Sequence, residues 1–389
     1  MFITNLTIYA EDGIIEKGFI EIDGERIKRV APMADFQASD QDEVVNFDES
    51  YSLIPGMIDL HIHGASGADV MDATPDALET MVKALPKEGT TSFLATTMTK
   101  SKQDIEHAIG NIADYMPKQS TGHAEILGAH LEGPFLSPKR AGAQHPDNII
   151  NPDVELFKQW QTLSGNNIRL VTLAPEEPGG LELTAHLKNT GVVASIGHSD
   201  AVYDEVEAAI EAGVSHATHL FNGMRGIHHR EPGVAGAVLL HDEVKCEMIV
   251  DGIHIAPKMV KFAYKVKGSE GSILVTDAMR AKCLGAGTYD LGGQEVIVNG
   301  ERAVLKDGTL AGSILKLNDA VRNMMRFADC SLQDIIQMTA VNPAKQINVF
   351  DRKGSIKAGK DADVVIVNDQ LEVIMTICRG KLAYSNREE

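Results

Sequence analysis

The sequence predicts an α/β fold: a (β/α)8, TIM-like barrel with a small β-sandwich domain formed by both chain termini. Three observations lead there. Eight short apolar segments of strand character recur through the middle of the 389-residue chain, most of them separated by amphipathic helical stretches. Side chains able to bind a metal fall at the C-terminal ends of those segments. The two chain ends are strand-rich and lack the helical periodicity of the middle.

Residues 1–54 read as short strands joined by tight turns. Residues 2–9 and 18–22 are strand-like, and Asp23-Gly24 is a hairpin signal ahead of 25–30. Residues 355–389 repeat that character around the apolar run 364–367, so the two ends are expected to build one small domain. The barrel, 55–354, has strands expected at 56–62, 90–97, 125–131, 168–173, 192–196, 215–219, 244–250 and 272–276. Helical stretches at 75–85, 102–115, 153–163 and 201–212 carry the crossovers. After the eighth strand, 289–310 reads as a β-hairpin insertion with Asn299-Gly300 and Asp307-Gly308 as turns. Helices at 317–327 and 332–342 follow, and Pro343 marks an ending. Met324 and Met325 on the first of these read as core packing.

Composition narrows the partners. A formal net charge of −19 argues against a nucleic-acid backbone or an anionic membrane surface. It leaves room for a small anionic substrate, which needs only a few local cations. The four cysteines form no CxxC pair, no apolar run reaches the length of a membrane span, and the start lacks a signal-peptide pattern. The expected compartment is the cytoplasm. Gly285-Ala286-Gly287 has neither dinucleotide-binding nor P-loop spacing.

The chemistry lies in five strand-end motifs: His61-Ile62-His63, His130-Leu131-Glu132-Gly133-Pro134, Gly197-His198-Ser199, Thr218-His219-Leu220 and Thr276-Asp277-Ala278. On a strand, His61 and His63 point to one face. With Glu132, His198, His219 and Asp277 they offer four imidazoles and two carboxylates, enough for one or two divalent ions such as zinc or iron. Any one histidine is more often structural; six such groups at strand ends are not a coincidence. Asp59 is a further inward-facing polar group that could support a ligand. Asp277, ending the last strand, is the expected general base for a water held by the metal.

These residues resemble the amidohydrolase superfamily and, more closely, the N-acetylglucosamine-6-phosphate deacetylases. The resemblance covers nearly the whole chain and rests on 55–64, 130–135, 172–176, 197–199, 217–224, 230–233, 251–254, 276–278 and 310–313. It implies hydrolysis of the N-acetyl group of N-acetylglucosamine 6-phosphate, within amino-sugar catabolism and cell-wall sugar recycling. It implies Glu132, His198 and His219 as ligands of a first ion, and His61 and His63 as ligands of a second. Family members lacking the intact pair hold one ion, so the pair here favours two. Ala143, Gln144, Asn222 and Gly223 match sugar-contact positions, although Gln144 stands where some members have histidine. His254 and Arg230 match phosphate-binding positions, and Leu310, Ala311 and Gly312 match a segment lining the pocket. In the family the arginine reaches the neighbouring subunit's site, which implies a homodimer.

Each assignment has a plainer counterpart. The loop 225–230 reads equally as a solvated surface turn, and Asn222-Gly223 as a turn dipeptide. His145, His228, His229 and His241 read as exposed or supporting. A cyclic amidase of the same superfamily would use a carbamylated lysine on a strand, whereas Lys139 lies in a loop. A deaminase would need a further histidine pattern. A non-catalytic sugar-phosphate-binding protein would have no use for Asp277.

Overall fold

The computed structural model describes residues 1–387. Eight parallel strands pair in strict chain order: Met57–Ile62, Thr90–Thr96, Glu125–Glu132, Ile168–Leu173, Val193–Ile196, Val214–Ala217, Lys245–Met248 and Ser272–Leu274. The chain beyond the last strand returns to the first. Asp277 donates its N–H to His61 O at 2.8 Å, and His63 donates to Ala278 O at 2.9 Å. That closure makes the sheet a barrel without edges.

Helices outside the barrel follow from sequence periodicity. In Lys102–Tyr115 the buried positions are Ile105, Ala108, Ile109, Ile112 and Tyr115, one stripe facing the strands. Thr74, Ser101 and Asp153 cap their helices by accepting N–H groups of the first turn. Every residue of Met57–Ile62 and Glu125–Glu132 is buried, polar ones included, because inward side chains converge on the barrel axis and outward ones pack beneath the helices.

The chain ends meet as expected, in one mixed sheet rather than two facing sheets. Its order is Lys381–Ser385, Val373–Cys378, Val364–Val367, Ser52–Pro55, Phe2–Ala10, Gly13–Asp23 and Arg26–Pro32, with Val44–Asn46 beside Phe2–Ala10. The sheet curls: Ile27 donates to Lys360 O and Ala362 to Glu25 O. Ile3, Leu6, Ile20 and Ile27 therefore share a core with Val364, Ile366 and Ile377. A buried ion cluster ties this sheet to the barrel. Lys353 Nζ lies 2.7 Å from Glu125 on the third barrel strand and also pairs with Asp363, while Arg352 lies 2.8 Å from Glu125.

The insertion after the barrel has three strands, Gly287–Leu291, Gln294–Val298 and Ala303–Val304, one more than a hairpin. Asn299-Gly300 turns the second strand into the third. Met324 is buried in the barrel core with Met325 packed beside it, as expected. Pro343 does not end a helix. Leu332–Ile336 passes through a π-turn, Gln337–Val341, into a short helix Asn342–Gln346. Pro343 directly follows the π-turn, whose closing bond runs from Asn342 N–H to Gln337 O, so the helical run continues past it.

Candidate metal centre and active-site cleft

All six strand-end residues converge. Glu132 is the hub: its Oε1 lies 3.5, 3.3 and 3.2 Å from Nε2 of His61, His198 and His219, and its Oε2 lies 3.3 Å from His63 Nε2. Asp277 Oδ1 lies 3.1 Å from His63 Nε2 and 3.5 Å from His61 Nε2. Two groups with metal-ligand spacing result, His61-His63-Glu132 and Glu132-His198-His219, with the Glu132 carboxylate common to both.

The far nitrogens of the four rings decide what this arrangement can hold. Nδ1 of His198 donates to Arg140 O at 2.8 Å, that of His219 to Asn222 O at 3.0 Å, and that of His63 to Thr96 O at 3.3 Å. Nδ1 of His61 donates to Glu247 at 3.0 Å. A carbonyl or carboxylate oxygen only accepts, so each neutral ring carries its proton on Nδ1 and a lone pair on Nε2. Those lone pairs face one another across 3.3 Å (His61 and His63) and 3.1 Å (His198 and His219). Buried acceptors meeting head-on are unfavourable unless a cation lies between them.

The electrostatics agree. Burial works against charge on His61 and His63, but Asp277 and Glu132 outweigh it, holding His61 well above the usual histidine range and His63 at about 9. Burial likewise opposes ionisation of Glu132 and Asp277, and the surrounding imidazoles reverse it, keeping both carboxyls below their usual range. The centre attracts positive charge. A proton relieves one nitrogen pair; a divalent cation relieves a whole ligand group, and the imidazole-carboxylate donor set fits one.

Backbone conformation aims three of these groups. His198, His219 and Asp277 have φ of 48°, 32° and 47°, left-handed values that cost a non-glycine residue energy. Each stands just beyond its strand, where the chain must turn sharply to point a side chain over the barrel mouth.

Above these six side chains lies an open cleft with about 710 Å³ of free space, part of it open to solvent. Of the sequence-predicted contacts, Ala143, Gln144, Asn222, Gly223, His254, Leu310 and Gly312 line it, beside His63, Glu132, His198, His219 and Asp277. His61 lies beneath, fully buried. Ala311 is also buried, packed with Met279 and Leu291 behind the wall. Arg230 is exposed in its loop, bonded to His229, and does not line the cleft of its own chain. Gln144 donates to Glu132 Oε2 at 2.7 Å and accepts from Thr99 N–H at 2.9 Å, so the side chain at this position orients the hub carboxylate. His254 Nδ1 meets Asp251 at 2.6 Å; burial disfavours its charge, yet Asp251 raises it above the ordinary histidine range. The ring is one of the groups that line the cleft.

Sequence reading passed over the layer beneath. Glu247 and His216 are fully buried in strands, 2.9 Å apart, and His130 Nε2 lies 2.7 Å from Thr172 Oγ1. The available signal was a carboxylate between Cys246 and Met248 inside a strand expected to be buried. Asp59 accepts from Thr276 at 2.6 Å and from His61 N–H at 3.2 Å, the supporting place expected of it.

A family model described as the amidohydrolase family matches residues 52–383. The chain is 48% identical over 390 residues to an N-acetylglucosamine-6-phosphate deacetylase of Bacillus subtilis (strain 168), covering 100% of this chain and 98% of that protein. It is 45% identical to the deacetylase of Lysinibacillus sphaericus, covering 98% and 97%. Among solved structures, an aspartate-to-alanine variant of N-acetyl-D-glucosamine-6-phosphate deacetylase from Mycobacterium smegmatis, in complex with N-acetyl-D-glucosamine-6-phosphate, superposes with a TM-score of 0.92 at 31% identity, over 99% of both chains.

Proposed function

The chain belongs to the amidohydrolase family, among its N-acetylglucosamine-6-phosphate deacetylases, and we propose that it hydrolyses N-acetylglucosamine 6-phosphate to glucosamine 6-phosphate and acetate. The observation that carries this reading is the convergence of four Nε2 lone pairs on the Glu132 carboxylate at the floor of an open cleft. Glu132, His198 and His219 would hold one divalent ion, and His61, His63 and Glu132 would hold a second; the nitrogen and oxygen donors suit zinc or iron(II). A cation bound there supplies Lewis acidity to the acetyl carbonyl and to water.

The chain's own groups do the rest. Asp277, ionised and directed into the cleft, takes a proton from the attacking water. It returns that proton to the amine nitrogen as the C–N bond breaks. His254, kept cationic by Asp251, receives the phosphate, and Asn222 and Gly223 bound the sugar. Gln144 holds Glu132 in register.

Arg230 completes the phosphate site of a neighbouring copy in a homodimer. Its exposure beside Ile227 supports this, as does an apolar stripe on the helix Pro257–Lys267, where Met259, Phe262 and Val266 are open to solvent. Among the described residues no helix is long and apolar enough to cross a membrane. A doubly charged sugar phosphate and four free cysteines fit a reducing cytoplasm.

The direct test is acetate release from N-acetylglucosamine 6-phosphate by purified protein before and after chelation. Activity that is lost on chelation and regained with zinc or iron(II) supports the reading. Activity untouched by complete metal removal refutes it.

A further inference from the structure

Beneath the ligands the barrel interior is polar where branched apolar layers are usual. Glu247, on the seventh strand, is fully buried there, and each of its carboxylate oxygens is engaged. Oε2 accepts from His61 Nδ1 at 3.0 Å and from the His219 backbone N–H at 3.1 Å, while Oε1 accepts from His216 Nε2 at 2.9 Å. Among the described residues His216 Nδ1 has no partner, so the only hydrogen bond of that ring goes to Glu247.

We propose that Glu247 is a positioning residue for both cation positions, fixing His61 as the tautomer that can bind and anchoring the turn that carries His219. The assignment rests on the reading of the cleft as a two-ion centre. Its physical basis is a choice open to His61. With Nδ1 donating to Glu247, Nε2 presents a lone pair to the centre. Without that acceptor the proton can move to Nε2, which lies 3.5 Å from Glu132 Oε1. The ring would then be a hydrogen-bond donor to the hub carboxylate instead of a ligand. The same carboxylate oxygen holds His219 N–H, where φ is 32° and the backbone needs support. The two effects are unequal. The His219 ring is oriented separately by Asn222 O at 3.0 Å, whereas Glu247 is the only partner of His61 Nδ1 among the described residues. Loss of Glu247 therefore acts first on the position served by His61 and His63.

The test is zinc binding by the full-length apoprotein of wild type, Glu247→Leu and Glu247→Asp, measured by chelator competition with elemental analysis for stoichiometry. Leu keeps a similar volume and removes both acceptor oxygens; Asp keeps the charge and withdraws it by one methylene. Wild type should bind two equivalents. In both variants the second should weaken about 10- to 100-fold, the range found when a carboxylate behind a ligating histidine is lost, with the first changed only a few-fold. Long-range proton–nitrogen correlation of the zinc-loaded wild type, which needs no variant to fold, should read His61 protonated on Nδ1 and metal-bound through Nε2. Variants that bind both equivalents like wild type, or lose both in equal measure, overturn the assignment alone. So does a His61 bound through Nδ1. A wild type that takes up fewer than two equivalents overturns the two-ion reading with it.

Discussion

Replacing Asp277 with asparagine isolates the proton-transfer step from the rest of the site. Asparagine has the same shape and tolerates left-handed backbone better than other side chains, so the φ of 47° is retained at little cost. The backbone bonds at this position, Asp277 N–H to His61 O and Ser313 N–H to Asp277 O, do not involve the carboxylate. What disappears is an ionised oxygen 3.1 Å from His63 Nε2 that faces the cleft. General acid–base catalysis by one positioned group is worth roughly 10²- to 10⁴-fold, about 3–5 kcal/mol of barrel-mouth chemistry at ~1.4 kcal/mol per decade. The kcat for acetate release should fall by that factor, with KM changed far less. Elemental analysis of the same sample separates the loss of a base from the loss of a cation. A kcat within threefold of wild type, at unchanged metal content, would refute the role assigned to Asp277.

Three other outcomes follow from separate parts of the structure. Asp251 raises His254, so the benefit of the charged ring is complete below the ordinary histidine value of 6.5 and fades as pH rises through the raised one. KM for the phosphorylated substrate should climb on the alkaline side, and in Asp251→Asn that climb should begin at lower pH, as pH-dependent kinetics will register. Arg230→Ala should raise KM by about 10- to 100-fold, from ~1.5–3 kcal/mol for a charged hydrogen bond. If the arginine serves the partner, mixing Arg230→Ala with Asp277→Asn protein should recover activity that neither has alone; no recovery after subunit exchange would place it in its own site. Lys353→Met leaves Asp363 without its buried cation, while Arg352 still pairs with Glu125 and Asp361, and should cost about 3–5 kcal/mol in a urea melt. Burial opposes the charge on Glu125, but Lys353 and Arg352 lower it from 4.5 to about 2. Its stabilising contribution is thus present above pH 4.5 and lost as pH falls toward 2, so wild type should weaken in acid more steeply than the variant.

The convergence of the six side chains was legible because each is a polar residue at the end of an apolar strand, a local pattern that strand geometry brings together. His61 and His63 meet Glu132 for that reason. The deeper layer was not legible in the same way. Glu247 and His216 sit within strands, and whether an inward residue faces water, a metal or another polar group depends on the opposite wall of the barrel. Gln144 was assigned by position to the sugar, and only the folded loop brings its amide to Glu132. The terminal sheet had a related ambiguity. Strand character is local, but the pairing of Val364–Val367 with Ser52–Pro55 spans most of the chain, so one curled sheet and two facing sheets look alike in sequence. Nor does any local pattern mark the left-handed turns at His198, His219 and Asp277, which the closed barrel imposes.

The measurement closest to the central claim compares acetate release from N-acetylglucosamine 6-phosphate and from N-acetylglucosamine by the same metal-loaded preparation. In the proposed site His254, with Arg230 of a neighbouring copy, would hold a phosphate while the amide lies over Glu132 and Asp277. That arrangement predicts a kcat/KM at least 100-fold higher for the phosphorylated sugar. Equal values for the two sugars, or no acetate from either, would contradict it.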